Sequence, residues 1–216
     1  MTFNIYVPAE QQVRDKAEFA RKGIARGRSI AALEYDNGVL LLAENPSTAL
    51  RKISEVYDRI AFAGVGRYNE FEMLRKAGIR QADLMGYLYS RDDVTAQAVA
   101  TAFSEALGAI FSREPKPYEV EVLVAEVGNP NRLYRVSYDG TLYDERQVAA
   151  IGGKADVLVE SLRQGWTAGM TLDAALAHGQ AAFATAEGRP LEGWEAAVLD
   201  RQNGRRAFRR LQVPAS

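Results

Sequence analysis

Apolar residues recur at three- and four-residue spacing over residues 8–26, with Ala9, Val13, Ala17, Ala20 and Ile24 on one stripe behind Pro8. The spacing predicts a helix whose apolar face is thin and alanine-rich. Such a face gains little from its own chain, so the helix suits contact with a neighbouring subunit. After Gly27 the period becomes that of a strand: residues 28–35 are rich in Ile, Ala and Leu, Asp36-Asn37-Gly38 follows, and residues 39–43 are wholly apolar. Asn-Gly between two such runs predicts a hairpin with positive φ at both turn positions. Short runs at 52–56 and 59–63 lead through Gly64-Val65-Gly66 into a helical pattern carrying Phe71, Leu74, Gly78, Met85 and Leu88. Thr95 then opens a second helix with Val99, Ala102, Phe103, Ala106, Leu107 and Ile110.

Pro115 and Pro117 break the chain, and a second strand block follows at 119–127, 132–138 and 147–152, with Asp139-Gly140 as a hairpin turn. Leu158, Leu162 and Trp166 then mark one helix. Thr171 caps another, whose stripe is Leu172, Ala175, Leu176, Gly179 and Phe183. Strand-like residues 193–200 and 206–211 flank a loop at Gln202-Asn203-Gly204. Strand blocks alternating with helix pairs, with no repeat and no linker, predict an α+β fold: one four-layer αββα sandwich preceded by an extra helix.

At 216 residues, 47% hydrophobic and 25% charged, the chain can bury a full core without disulfide or metal. It has no Cys and one His, which excludes cysteine nucleophiles, Cys–zinc sites and multi-histidine metal sites. Apolar runs such as 38–43 are far shorter than the roughly 20 residues that span a bilayer, and no signal-peptide pattern precedes them. The expectation is a cytoplasmic protein without a membrane partner. The net charge of -1 hides basic ends: residues 1–28 carry six Lys/Arg against three Asp/Glu, and residues 201–216 carry five Arg and no acid. Nucleic-acid binding would want aromatics interleaved with those bases, and only Phe19 and Phe208 lie near them, so no nucleic-acid partner is expected.

Few residues suggest chemistry. Gly64-Val65-Gly66 is followed by Asn69 where a dinucleotide fingerprint needs glycine, and Gly152-Gly153-Lys154 by Ala155 where a phosphate loop needs Ser/Thr, so both read as strand-to-helix turns. His178 flanks its helix stripe without a placed nucleophile. Asp92-Asp93 reads as helix-start acids and Asp144-Glu145 as a hairpin loop, with no metal or cofactor implied. Enzymes of sandwich architecture can use their first residue as nucleophile and its own amine as base. Thr2 would serve only if it began the core strand. That place is interior to the chain, at Arg28 or Ser29, although an autonomous hydrolase remains the alternative function.

Four stretches carry a resemblance: PAEQQVRDKAEFARKGIARGRSIAALEYDNGVLLLAENPS (8–47), LRKISEVYDRIAFAGVGRYNEF (50–71), KPYEVEVLVAEV (116–127) and LYRVSYDGTLYDERQVAAIGGKAD (133–156). Together they resemble proteasome core-particle α subunits of the actinobacterial type. The resemblance implies the N-terminal-nucleophile hydrolase fold without its activity, in heptameric outer rings that cap rings of β subunits. It implies a gate segment at residues 1–8 (Thr2, Phe3, Asn4, Ile5, Tyr6, Val7 and Pro8) ahead of a single domain at 9–216. The tyrosine-aspartate-arginine gate triplet of archaeal and eukaryotic relatives is absent from residues 1–8. Lys52, with Gly64, Val65 and Gly66, matches a pocket between neighbouring α subunits that holds an activator's C-terminal carboxylate. The implied partners are neighbouring α subunits, β subunits, a proteasome-associated ATPase ring that presents its C-terminal tails, and substrates tagged with the ubiquitin-like modifier Pup.

Overall fold

The structure is a computed structural model that describes residues 8–213. Helix α1 (Ala9–Ala25) leads into two five-stranded sheets whose described strand pairs are all antiparallel. The first sheet has the order β10-β9-β2-β1-β8, from β1 (Ile30–Tyr35), β2 (Gly38–Glu44), β8 (Val148–Ile151), β9 (Trp194–Asp200) and β10 (Phe208–Leu211). The second has the order β3-β4-β5-β6-β7, from β3 (Ile53–Tyr57), β4 (Ile60–Gly66), β5 (Val120–Glu126), β6 (Arg132–Val136) and β7 (Leu142–Glu145). Helices α2 (Tyr68–Leu88) and α3 (Ala96–Arg113) cover the second sheet, and α4 (Ala155–Gly165) and α5 (Leu172–Glu187) cover the first. This is the αββα sandwich read from the strand and helix periods.

The central strands β1 and β2 are almost wholly apolar because both of their faces are buried. On β1 and β2, Ile30, Ala32, Val39, Leu41 and Ala43 meet Ala61, Ala63, Val65, Leu123 and Ala125 of the facing sheet. Their alternates Ala31, Leu33, Leu40 and Leu42 pack with Leu158, Leu162 and Phe183 beneath the helices. Phe62, Phe71 and Phe103 fill the layer under α2 and α3, with Phe103 edge-on to Phe62 at 5.6 Å between ring centroids. Each such side chain contributes about 1.5–3 kcal/mol over leaving it in water. Helix α1 stands apart from this scheme. Ala20 and Ile24 reach the intersheet core, while residues 8–15 are all exposed and Val13 keeps 53% of its surface open.

Both predicted threonine caps form: Thr95 Oγ1 accepts from the Ala98 N–H at 3.2 Å and Thr171 Oγ1 from the Ala174 N–H at 3.3 Å. Three expectations fail. The β1–β2 hairpin turns on Asp36 and Asn37, since Tyr35 pairs with Gly38, and neither Asn37 nor Gly38 has positive φ. Gly38 is demanded instead by β9, because a Cβ there would run into the Leu199 carbonyl. Leu88 is exposed rather than on the buried face of α2, which ends with Ala82 as its last buried residue. Asp144 and Glu145 lie within β7, not in a loop. Asp92 and Asp93 do stand at a helix start, in the first turn of a short 3-10 helix (Arg91–Asp93) ahead of α3.

Candidate functional site

The densest group of buried charge sits where β2 ends, β9 begins and the chain enters β3. Antiparallel pairing sets Glu44 opposite Trp194 and Ala43 opposite Glu195, so two carboxylates 151 residues apart share one end of the sheet. Glu195, 3% exposed, accepts from Asn45 Nδ2 at 2.7 Å, the Lys52 N–H at 2.9 Å, the Ile53 N–H at 3.1 Å and Arg210 Nη1 at 3.1 Å. Glu44, fully buried, accepts both Nη atoms of Arg189 at 2.8 and 2.7 Å and the Glu192 N–H at 2.9 Å, with Arg28 Nη1 at 3.1 Å. Burial alone would raise the Glu44 carboxyl, but Arg189, the Glu192 N–H and Arg28 outweigh it and hold the group below the usual carboxylate range. Both acids are therefore saturated with donors.

Lys52 precedes β3 and is half-buried in this group. Its Nζ donates to the Arg28 carbonyl at 2.9 Å, and among the described residues no carboxylate lies within salt-bridge distance of it. Burial first, then the Arg28 charge, push the amine down to about 8, against the opposing pull of Glu195 and Glu44. At neutral pH it is an ammonium with one neutral acceptor and two N–H donors to spare. An external carboxylate is the natural counterion for such a group.

Gly64, Val65 and Gly66 form the last three residues of β4 behind Lys52, whose carbonyl accepts from the Gly64 N–H at 3.1 Å. The close approaches these glycines permit are made by the chain itself. A Cβ on Gly64 would strike the Phe71 ring, one on Gly66 the Glu119 carbonyl, and Val65 packs in the intersheet core. Among the pocket residues, Lys52 is thus the one that offers a polar group. Of the gate residues, Thr2, Phe3, Asn4, Ile5, Tyr6 and Val7 lie outside the described residues, and Pro8 is the residue preceding α1.

The other sequence candidates have structural work. Ser29 is buried at the head of β1 and its Oγ accepts from the Lys154 N–H at 3.1 Å, while its own nitrogen is in peptide linkage to Arg28. The Gly152 N–H donates to Glu121 and the Gly153 N–H to the Gly27 carbonyl, so that turn spends its donors internally. His178 ties α5 to α4 through Nε2 and the Leu162 carbonyl at 2.8 Å. The basic C-terminal region is largely paired as well: Arg201 reaches the Gly128 and Asp36 carbonyls, Arg206 binds Glu55, and Arg210 binds Glu195 and the Ile53 carbonyl. Among the described residues no helix is long and apolar enough to cross a membrane.

Sequence reading missed Glu44, Glu195 and Arg189. The one readable sign was Glu44, a lone acid at the end of a wholly apolar strand run, with Glu195 likewise at the edge of the apolar run 196–199.

The family model described as proteasome subunit matches residues 24–199, which hold both sheets up to β9 and most of this cluster. The chain is 54% identical over 220 residues to the proteasome subunit alpha of Thermomonospora curvata, covering 99% of this chain and 96% of that protein. It is 53% identical over 231 residues to the proteasome subunit alpha of Xylanimonas cellulosilytica, covering 100% and 94%. To that of Kineococcus radiotolerans it is 52% identical over 227 residues, covering 99% and 96%. With its sandwich and nearly its whole length matched, the chain belongs to the proteasome subunit family.

Proposed function

We propose that the chain is a non-catalytic alpha subunit of the proteasome core particle, placed with neighbouring copies in a heptameric outer ring against a ring of β-type subunits. The head of β1 carries the reading. A nucleophile that uses its own amine must begin the core strand, but Ser29 is buried, peptide-bonded to Arg28 and preceded by α1. The name of the relatives, proteasome subunit alpha, supports the same assignment. In this reading residues 9–216 are one domain, and residues 1–8 form a gate segment aimed by Pro8. Lys52 receives the C-terminal carboxylate of an ATPase-ring tail at the junction between neighbouring copies, with residues 64–66 as the strand behind it. The particle then degrades Pup-tagged proteins in the cytoplasm.

Co-expression with the β-type subunit of the same organism, followed by negative-stain electron microscopy and a peptidase assay, tests the assignment. Stacked sevenfold rings, active only when both chains are present, are the expected result. Peptide cleavage by the purified chain alone overturns it.

A further inference from the structure

This inference rests on the reading of Lys52 as a carboxylate seat. We propose that the seat holds a chain-terminal carboxylate only while Lys52 is an ammonium, and that the Arg28 charge, added to burial, lowers the pH at which it lets go. The geometry around the amine carries the proposal. The charged groups that act on it are Arg28 ahead of β1, Glu44 at the end of β2 and Glu195 in β9; Arg189 and Glu192 between α5 and β9 bind Glu44, and Arg210 in β10 binds Glu195. The two buried acids are already spent, Glu44 on Arg189 and Arg28, and Glu195 on Arg210, Asn45 and two backbone N–H groups. Lys52 is left with a backbone carbonyl, which cannot neutralise it.

Arg28 acts on Lys52 from both of its ends. Its carbonyl fixes the Lys52 nitrogen, and its guanidinium opposes the ammonium charge. The guanidinium has Glu44 at 3.1 Å from Nη1, which is buried without a well-aligned hydrogen bond, and donates from Nη2 to Glu192 at 3.1 Å, so the charge left without a carboxylate partner is that of Lys52. An arriving carboxylate supplies the missing negative charge and favours the ammonium. Binding and protonation are therefore linked, each strengthening the other. With the amine lowered to about 8, it is charged at pH 7 and largely neutral at pH 9. Carboxylate affinity accordingly falls as pH rises, by roughly tenfold between those two values.

The test uses the assembled particle of both subunits. A short fluorescent peptide with the C-terminal sequence of the same organism's proteasome-associated ATPase is titrated as free acid and as C-terminal amide across pH 6.5 to 9.5. The acid is expected to lose roughly tenfold in affinity from pH 7 to 9, while the amide binds weakly throughout. Lys52→Arg keeps the acid bound with no fall, because a guanidinium stays charged across the range. Arg28→Gln moves the fall to higher pH, since it removes a repulsion and turns Glu44 toward the ammonium. A flat profile in the unaltered particle, with binding abolished by Lys52→Ala, overturns the proton linkage and keeps the seat. Equal binding of acid and amide, or unchanged binding in Lys52→Ala, overturns the carboxylate seat itself.

Discussion

Lys52 titrates against the fold as well as with a ligand, and the two effects have opposite signs. Its amine is lowered from 10.5 to about 8 in the folded chain, so between those values the unfolded chain binds more protons. Stability from this group therefore rises with pH across that window and is lowest below pH 8. Lys52→Met is expected to be more stable than the unaltered protein at pH 7, by about 1–2 kcal/mol once solvent screening of a half-buried amine is discounted. The advantage shrinks as pH approaches 10.5. Denaturant titrations of both proteins at neutral and alkaline pH measure the difference, and one that stays constant across the window sinks the account. A lysine kept at a cost to the fold, beside acids already saturated by other cations, is better explained by a ligand than by packing.

Caps, strands and hairpins follow local rules to different depths. Thr95 and Thr171 were readable because a cap needs only the side chain and a donor three residues ahead, as Ala98 and Ala174 supply. Thr95→Ala and Thr171→Ala are each expected to cost about 1 kcal/mol in thermal denaturation, with Thr→Ser restoring most of it. An undiminished midpoint in both variants would mean that tertiary packing alone fixes those helix starts. The strands and their two-faced burial were equally legible, since periods and apolar runs report faces directly. What was not legible depended on chain distant in sequence. Gly38 looked like a turn glycine, yet β9 requires it through Leu199. Leu88 keeps the helix phase, yet it lies beyond Ala82, the last buried residue of α2. Glu145 looked like a loop acid, yet Arg135 holds it across β6 and β7. The candidate site divides in the same way. Lys52 was found by resemblance, whereas Glu44 and Glu195 acquire meaning only when β2 and β9 pair.

For the whole molecule, α1 poses the question of what it is for. Its second half is fastened to the body: Ala20 and Ile24 enter the intersheet core, and Lys16 Nζ donates to the Phe111 and Glu114 carbonyls at 3.1 and 2.7 Å. Arg21 lies over the Tyr138 ring and Lys116 over Phe19. Residues 8–15 are exposed, and Ala9 and Val13 form an apolar strip with Glu10 and Arg14 beside it. A helix held so firmly at one end, with an apolar strip standing free at the other, fits a subunit whose neighbour completes the packing. Val13→Asp separates the two halves. The side chain is solvent-exposed and lies toward the N-terminal end of a helix, where an acid is tolerated, so the stability of the separate chain should change by less than about 0.5 kcal/mol. Assembly with β-type subunits, followed by native mass spectrometry, should instead lose the complete particle. Ile24→Ala gives the contrast, costing about 2–4 kcal/mol through the cavity it opens in the fold itself. Full particles from Val13→Asp at the unaltered yield would place the free turns of α1 in solvent and leave ring formation to other surfaces.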